Sequence, residues 1–426
     1  MKRILFLIIT VTLPQIVNAQ LTLDQCQELA RKHYPEVARY DLIAQSEGFN
    51  LKSASNSWIP QITLGGQATW QSATATFPEA IREMMTVQGL DLQGIPQDQY
   101  KVALDVNQTI YDGGISKANK KLAQAEAQEQ RMSNDVSIYN IDERISEIFF
   151  GILLLDENLS TVHSMASLLE ANASKLESLV HNGVALQSDL DQVRVEQLSL
   201  AQQISQSEAS RTAFATMLET FIGEPLKGRD LVKPEGTLVP LGFSSRPELA
   251  LFDAQIARLD AQEGLLTSSI LPKVSFFAQG YYGNPGLDMF RAMTSRDWTW
   301  NAYLGVRMQW NISALFTRST DLRKLETARS ALALQKDIFN FNNSLLTTRQ
   351  SSEISRMQEA LSQDDRIVEL RIGIRKAAES QLDHGIIDTS ELLKRITDES
   401  TARSTRSIHE IELLKAQYQL KHTLNQ

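Results

Sequence analysis

The sequence is poor in several features that define common protein classes. Its 426 residues contain one cysteine, which excludes an intrachain disulfide and a CxxC metal site. Only 20 glycines and 11 prolines are present, which excludes a collagen-like or low-complexity chain. The 42 basic residues are outnumbered by 51 acidic ones, and this argues against nucleic-acid binding through a general basic surface. Mean hydropathy is −0.23, and the one long apolar run is N-terminal, so a bundle of transmembrane helices is excluded.

That N-terminal run has the layout of a secretory signal peptide. Lys2 and Arg3 precede an apolar stretch that is too short to span a bilayer as a helix, and small residues end it at Ala19. We expect residues 1–19 to be removed before Gln20. The mature chain then keeps 40 basic and 51 acidic residues, a net charge of −11.

The remaining chain repeats itself once. Three segments of the first half recur in the same order in the second, at offsets of about 200 residues. The pairs are Trp58–Ile62 with Ile270–Val274, Leu104–Gln108 with Leu304–Gln309, and His181–Leu190 with His384–Leu392. We therefore predict a first repeat over 20–222, a connecting segment rich in Gly and Pro over 223–246, and a second repeat over 247–426.

Each repeat contains two segments with period-two alternation, about ten residues long, which predicts β-strands. Apolar residues alternate with polar ones over 62–71, 100–110, 274–282 and 300–312. The polar face includes Asp105, Arg307 and several amides, which suits a water-filled lumen. Ten residues is also the length of a strand that crosses a membrane.

Tryptophans accompany these strands. All five lie within or beside them, and we expect them at the membrane interfaces, where one edge of the ring is apolar and the other wet. They are Trp58, Trp70, Trp298, Trp300 and Trp310. A soluble sandwich with a Trp-rich core is the alternative. Four strands cannot close a membrane barrel alone, whereas two copies would supply eight strands and three copies twelve.

Most of the remaining sequence predicts long helices. Apolar residues recur at alternating spacings of four and three from Ile141 to Val180, an unbroken heptad seam. The first helix of each hairpin is predicted from about Ser116 to His181 and from about Thr317 to His384, with breaks at Gly183 and Gly385. Shorter helices are expected over 23–57 and 246–269. The alternative architecture is an elongated cytosolic coiled coil, which the signal peptide and the strands disfavour.

Three segments resemble the TolC family of outer-membrane efflux proteins. They are Leu21–Ala38 at the opening helix, Ser55–Gly66 leading into a strand, and Val106–Ala118 at a strand-to-helix junction. With the paired hairpin breaks and the duplication, the resemblance covers essentially the whole mature chain. It implies a mainly α-helical protomer with four strands, which trimerises into a twelve-stranded barrel continued by a helical periplasmic tunnel.

The resemblance also implies partners. A homotrimer in outer-membrane lipid would dock a periplasmic adaptor protein and an inner-membrane pump of the RND or ABC class. Docking would use the hairpin tips, at Gly183 and Val184 in the first repeat and Gly385 and Ile386 in the second. The expected function is a passive exit duct for efflux or type I secretion, with no cofactor and no nucleic acid.

In the family, acidic residues just past the tips hold the tunnel entrance closed. By position after the glycine, Asp189 and Glu391 match this role, and Asp388 is a further candidate. A second acidic position of the family falls on Lys394, and a tyrosine and an arginine that latch some members fall on Leu382 and Ile387. We therefore expect that latch to be absent.

Other chemistry is sparse. The six histidines show no metal-ligand spacing on one helix face, and no nucleophile elbow, phosphate-binding loop or zinc motif is present. The sequence therefore does not predict an enzyme. The competing functional hypothesis is a structural or adhesive coiled-coil protein of the cell envelope that has no pore.

Overall fold

The structure is a computed structural model that describes residues 20–89, 91–92, 94–227, 229–236 and 244–425. The predicted signal peptide, residues 1–19, lies outside the described residues, as do parts of the predicted connecting segment.

The described part of the chain is mainly helical and contains four strands, as predicted. After the first helix, which has no counterpart in the second half, the order of helices and strands is the same in the two halves: helix, strand, short helix, strand, then two long helices. The elements are α1 (Leu23–His33), α2 (Arg39–Asn56), β1 (Gln61–Trp70), α3 (Glu79–Val87), β2 (Asp98–Tyr111), α4 (Ile115–His181), α5 (Gln187–Ile222), α6 (Pro247–Ser269), β3 (Lys273–Asn284), α7 (Met289–Thr294), β4 (Thr299–Gln309), α8 (Ala314–Asp383) and α9 (Thr389–Leu424).

Several boundaries differ by a few residues from the sequence prediction, and two of these differences have a clear local cause. The helix predicted over 23–57 is interrupted at Tyr34 and Pro35, where a short 3-10 turn over Pro35–Ala38 separates α1 from α2. Proline has no N–H to donate and disfavours a helical residue before it, and Tyr34 accordingly adopts an extended conformation. Strand β4 ends at Gln309, three residues before its predicted end at Ile312, because Ile312 lies in a turn that precedes α8.

The described chain forms two compact units, and each draws on both halves of the sequence. One unit contains the sheet and comprises residues 41–132 and 251–335. The other is helical and comprises, among the described residues, 20–40, 133–236, 244–250 and 336–425.

In the first unit the strands form one antiparallel sheet in the order β1-β2-β3-β4. The register aligns Ile62 with Val106, Val106 with Ala278, and Ala278 with Leu304. Even-numbered residues therefore share one face, which is apolar and largely exposed, while the odd-numbered residues form a polar face. We call these the apolar face and the wet face of the sheet.

The helical unit has two apolar clusters. One surrounds Cys26, Phe149 and Phe150, which are almost completely buried. The other surrounds Leu169, Val193 and Ile396, and so joins α4 and α5 with α9. The predicted heptad seam of α4 supplies buried residues to both clusters, because positions spaced by three and four residues lie on one helix face.

Within the described part of the chain, none of the helices reaches the length and hydrophobicity that a bilayer-crossing helix needs.

Candidate functional site

The two hairpin turns have the same backbone geometry. Gly183 has φ +71° and Gly385 has φ +68°, values that favour glycine because it lacks a Cβ. In the first turn, Gly183 N–H donates to Val180 O at 3.0 Å and Val184 N–H donates to Leu179 O at 2.9 Å. The second turn repeats both bonds, from Gly385 and Ile386 to Leu382 and Gln381. Both helices therefore end in a Schellman motif.

An apolar side chain projects from each turn. Val184 is 72% exposed and Ile386 is 71% exposed, and they follow the two glycines at equivalent positions. Exposed β-branched residues at matching turns are surfaces available for contact with another molecule.

The three candidate gate residues each have a local structural role. Asp189 Oδ2 accepts from Leu186 N–H at 3.3 Å at the start of α5. Asp388 is the N-cap of α9 and its Oδ1 accepts from Glu391 N–H at 2.8 Å. The Glu391 carboxylate pairs with Arg395 one turn further along the helix. Each of the three acids is thus held by a bond to a neighbour at the start of its own helix.

The structure brings the two turns together. A groove of about 370 Å³ lies between the hairpin ends and is lined by Val184, Asp189, Gly385 and Asp388, but not by Glu391. Ser390 Oγ donates to Gln192 Oε1 at 3.1 Å across the same region. At the family's latch positions, Leu382 and Ile387 pack as apolar side chains against the cluster around Leu169. Lys394 is exposed on α9.

The five tryptophans lie at the two ends of the sheet. Trp58 and Trp310 flank one end, and Trp310 Nε1 donates to Ile270 O at 3.0 Å. Trp70, Trp298 and Trp300 lie at the opposite end, and Trp300 is 82% exposed. Nine residue steps in β1 separate the two levels, roughly 30 Å at the usual rise of a strand. That spacing is close to the height of a bilayer's hydrocarbon core.

Two tyrosines reinforce the level that contains Trp298 and Trp300. Tyr282 lies 5.0 Å from Trp300 and 5.3 Å from Trp298 between ring centroids, and Tyr100 stacks on Trp298 at 6.5 Å. Both are even-numbered residues at the ends of predicted strands, so the period-two pattern contained the signal.

Ion pairs between the long helices of the second hairpin were also missed. Arg371 Nη1 lies 2.6 Å from Asp398 Oδ2, Arg375 Nε lies 2.6 Å from Glu399 Oε2, and Arg406 Nε lies 2.8 Å from Asp365 Oδ1. The partners are 24 to 41 residues apart in the sequence. Their pairing depends on how α8 and α9 align, which helical spacing within one element does not reveal.

No metal site emerges from the described residues, in which no group of three or more His, Cys, Asp or Glu side chains is suitably clustered.

Comparison with known proteins identifies the class. The sequence model of the outer membrane efflux protein family matches residues 28–224, and the fold is that of outer-membrane channels. The resemblance drawn from the sequence is therefore confirmed, through the family model over residues 28–224 and through the fold of nearly the whole chain. No curated protein sequence matches the chain.

Several solved channels share the fold across nearly their whole length. The outer membrane protein VceC from Vibrio cholerae is 14% identical with a TM-score of 0.67, covering 94% of this chain and 95% of that chain. CusC is 12% identical with a TM-score of 0.70, covering 95% and 92%. The MtrE outer membrane channel of Neisseria gonorrhoeae is 12% identical with a TM-score of 0.65, covering 94% and 88%.

Proposed function

We propose that the protein is the outer-membrane exit duct of a tripartite export system and conducts cargo passively. The observation that carries the proposal is the sheet, which has one exposed apolar face, one polar face and two unpaired edges. Such a sheet suits a membrane barrel with a wet interior once its edges are covered. The family match over residues 28–224 supports the same function.

The edges require further copies of the chain. Within the described chain, β1 pairs only with β2, and β4 pairs only with β3. An open edge cannot face lipid because its N–H and C=O groups would lack partners. We infer a homotrimer with twelve strands, in which β1 of one copy pairs with β4 of the next, since the family assembles as trimers.

The helices support assembly as well. Ile338, Phe341 and Leu345 recur on one face of α8 at spacings of three and four, and all three are exposed in the single chain. A second copy of the chain would bury this stripe.

The hairpin tips are the proposed docking surface for a periplasmic adaptor. Val184 and Ile386 supply apolar contacts, and the groove between the turns offers a recess of about 370 Å³. The energy would come from an inner-membrane pump of the RND or ABC class, as the resemblance to the TolC family implies.

The acids behind the tips are the proposed entrance gate. In a trimer, Asp189, Asp388 and Glu391 would each occur three times around the tunnel axis. A narrow ring of carboxylates favours cations and hinders anions. The proposed gate differs from the family pattern at Leu382, Ile387 and Lys394. Since Leu382 and Ile387 replace the tyrosine and the arginine, the gate acts without a tyrosine–arginine latch.

Planar-bilayer conductance of the purified oligomer tests the proposal. The wild-type channel should show low conductance, and the double variant Asp189→Ala, Glu391→Ala should conduct more because the proposed acidic ring is removed. Glu359→Ala, an exposed acid of α8 far from the turns in sequence, serves as the control and should behave as wild type. If neither the wild type nor the double variant ever conducts, the duct is refuted and a structural envelope role takes its place.

A further inference from the structure

The wet face of the sheet carries a charge opposite to that of the chain. Lys101, Lys273 and Arg307 lie on this face, whereas Asp105 is its single acid within the paired registers. The whole chain has a net charge of −9. The cationic balance of this face is therefore a local property of the strands.

These cations have no ion-pair partner among the residues that the structure describes. The Arg307 guanidinium lies over the Phe277 ring, 4.7 Å from its centroid, and Lys101 Nζ lies 6.0 Å from the centroid of Tyr281. The Asp105 carboxylate accepts from the Gln279 amide rather than from a cation. The positive charges are therefore available to a mobile anion.

One of the three cationic side chains, that of Lys101, lines a recess. At the end of the sheet that carries Trp70, Trp298 and Trp300, a cavity of about 590 Å³ lies between the wet face and the segments that follow β1 and β3. Among the described residues that line it, Lys101 alone is charged, and four glutamines and three tyrosines supply most of the remaining polar surface. Its volume falls in the range of small-molecule sites.

Hydrogen bonds order the floor of this recess. Tyr303 O–H donates to Gln279 Oε1 at 2.7 Å, and the amide of Gln279 in turn donates to Asp105. This chain fixes the Gln279 amide and the Tyr303 ring, so part of the recess is organised before any ligand arrives.

The lining selects one chemical class. A single ammonium group attracts a single carboxylate, tyrosine rings provide faces for an aromatic ring, and amides bond to hydroxyl groups. A cation would meet Lys101 with no nearby acid in the lining to offset the repulsion. We propose that the recess is a weak binding site for monoanionic aromatic compounds, such as hydroxylated aromatic acids, on their way out. This assignment of cargo rests on the proposed duct, whose lumen the wet face would line.

Binding to the purified, detergent-solubilised oligomer tests the assignment. The probes are 4-hydroxybenzoate and 4-hydroxybenzylamine, which share a phenol ring and differ in the sign of their charge. Equilibrium dialysis should give saturable binding of the acid and none of the amine. Lys101→Gln should weaken binding of the acid by about fivefold, the scale of one exposed charge pair.

Lys273→Gln is the matched control. Lys273 lies on the same face at the opposite end of the sheet and does not line the recess. Binding of the acid should change by less than about twofold in this variant. Tyr303→Leu should weaken binding of the acid, because the aromatic ring is lost. Unchanged thermal melting of each variant would show that it folds.

Three results would overturn the site: no saturable binding of the acid, tighter binding of the amine, or equal weakening by Lys101→Gln and Lys273→Gln. Conductance of the same preparations separates this inference from the function on which it rests. A channel that conducts but does not bind the acid refutes the recess alone. A protein that binds the acid but never conducts keeps the site and refutes the duct.

Discussion

Asp142 illustrates how single residues hold the helical unit together. Its side chain is 3% exposed, and its Oδ1 accepts from Arg31 Nε at 3.0 Å. This hydrogen bond raises the pKa of the Arg31 guanidinium, which therefore stays charged. The carboxylate lies beside the cluster around Cys26, where an unmatched charge has no access to water.

Removing one partner should therefore be costly. Arg31→Ala leaves the Asp142 carboxylate without its partner, and because the Arg31 side chain is itself half exposed we expect a loss of about 1–2 kcal/mol in unfolding free energy. Lys32→Ala is the matched control, because Lys32 also lies on α1 but pairs with Glu28 in an exposed i,i+4 contact. Circular dichroism during thermal unfolding would compare them. Equal effects would show that Asp142 gains little from its partner.

Glycine at the end of α5 is a second residue-scale constraint. Gly223 has φ +72°, and an added Cβ would lie 2.5 Å from Cγ of His33. Gly223→Ala should lower stability by about 1–2 kcal/mol, because it adds both strain and a clash. Gly48→Ala in α2 is the control. It has no atom within 4 Å of the new Cβ, and should raise stability by about 0.5–1 kcal/mol. Thermal melting of both variants measures the difference in sign.

At the scale of elements, the two long hairpins are joined by different chemistry. The α4–α5 hairpin uses the heptad seam, with Leu169 and Val193 buried between its helices. The α8–α9 hairpin adds a ladder of ion pairs in which Glu399 is buried and bonded to Arg375 and Arg403. Burial opposes ionisation of Glu399, but the hydrogen bonds from the two arginines outweigh it and lower its pKa.

A lowered carboxyl pKa makes this hairpin sensitive to acid. The stabilisation by Glu399 is present above the ordinary pKa of 4.5 and is lost as the pH falls through the lower value of the folded state. Wild type should therefore lose stability as the pH falls below about 4.5. Glu399→Gln should be less stable at neutral pH and should lose less on acidification.

Melting curves from neutral pH to about pH 3 check this linkage. Glu359→Gln, on the exposed surface of α8, should follow the wild-type pH dependence. Parallel curves for wild type and Glu399→Gln would show that Glu399 does not contribute to the acid sensitivity.

The elements were predictable where the pattern is local. The heptad seam of α4 and the alternation in the strands appear in the sequence because each repeats along one element. Pro35 is a local signal for the break after Tyr34, but the helical pattern on both sides of it led to the prediction of one continuous helix. The spacing of Asp388 and Glu391 likewise fits a helix start, so their capping bond could have been anticipated.

What the sequence could not supply is alignment between distant elements. Pairing of Arg375 with Glu399 depends on the relative position of α8 and α9, and pairing of Ile62 with Val106 depends on strand register. The recess at Lys101 combines residues from all four strands and two connecting segments. Each of these contacts is set by tertiary packing, which no periodicity within one element encodes.

At the scale of the whole molecule, strand pairing between copies can be tested by cross-linking. Strands β1 and β4 are three strand spacings apart within one sheet, roughly 14 Å, which is beyond the reach of a disulfide. Thr63→Cys on β1 combined with Asn301→Cys, Tyr303→Cys or Arg307→Cys on β4 can therefore join only different copies. We expect one of these pairs to give covalent dimers and trimers on oxidation and no larger species.

The single native cysteine gives this experiment a clean background. Cys26 is fully buried, and burial raises the pKa of its thiol to about 11, so it is a poor nucleophile. The Thr63→Cys single variant should give no ladder. A ladder that stops at two would indicate an eight-stranded barrel, and an open-ended ladder would contradict a closed ring.

The unpaired edges of the sheet also have a consequence for biogenesis. In the proposed trimer, a lone chain holds only a third of the barrel and presents its apolar face to water until two others arrive. Completion of the barrel then needs two successive encounters between chains, and its rate falls more than proportionally as the supply of newly exported chains drops. While a chain waits, its exposed strand edges can pair with other proteins, so quality control in the envelope would act on the waiting monomer rather than on the finished channel.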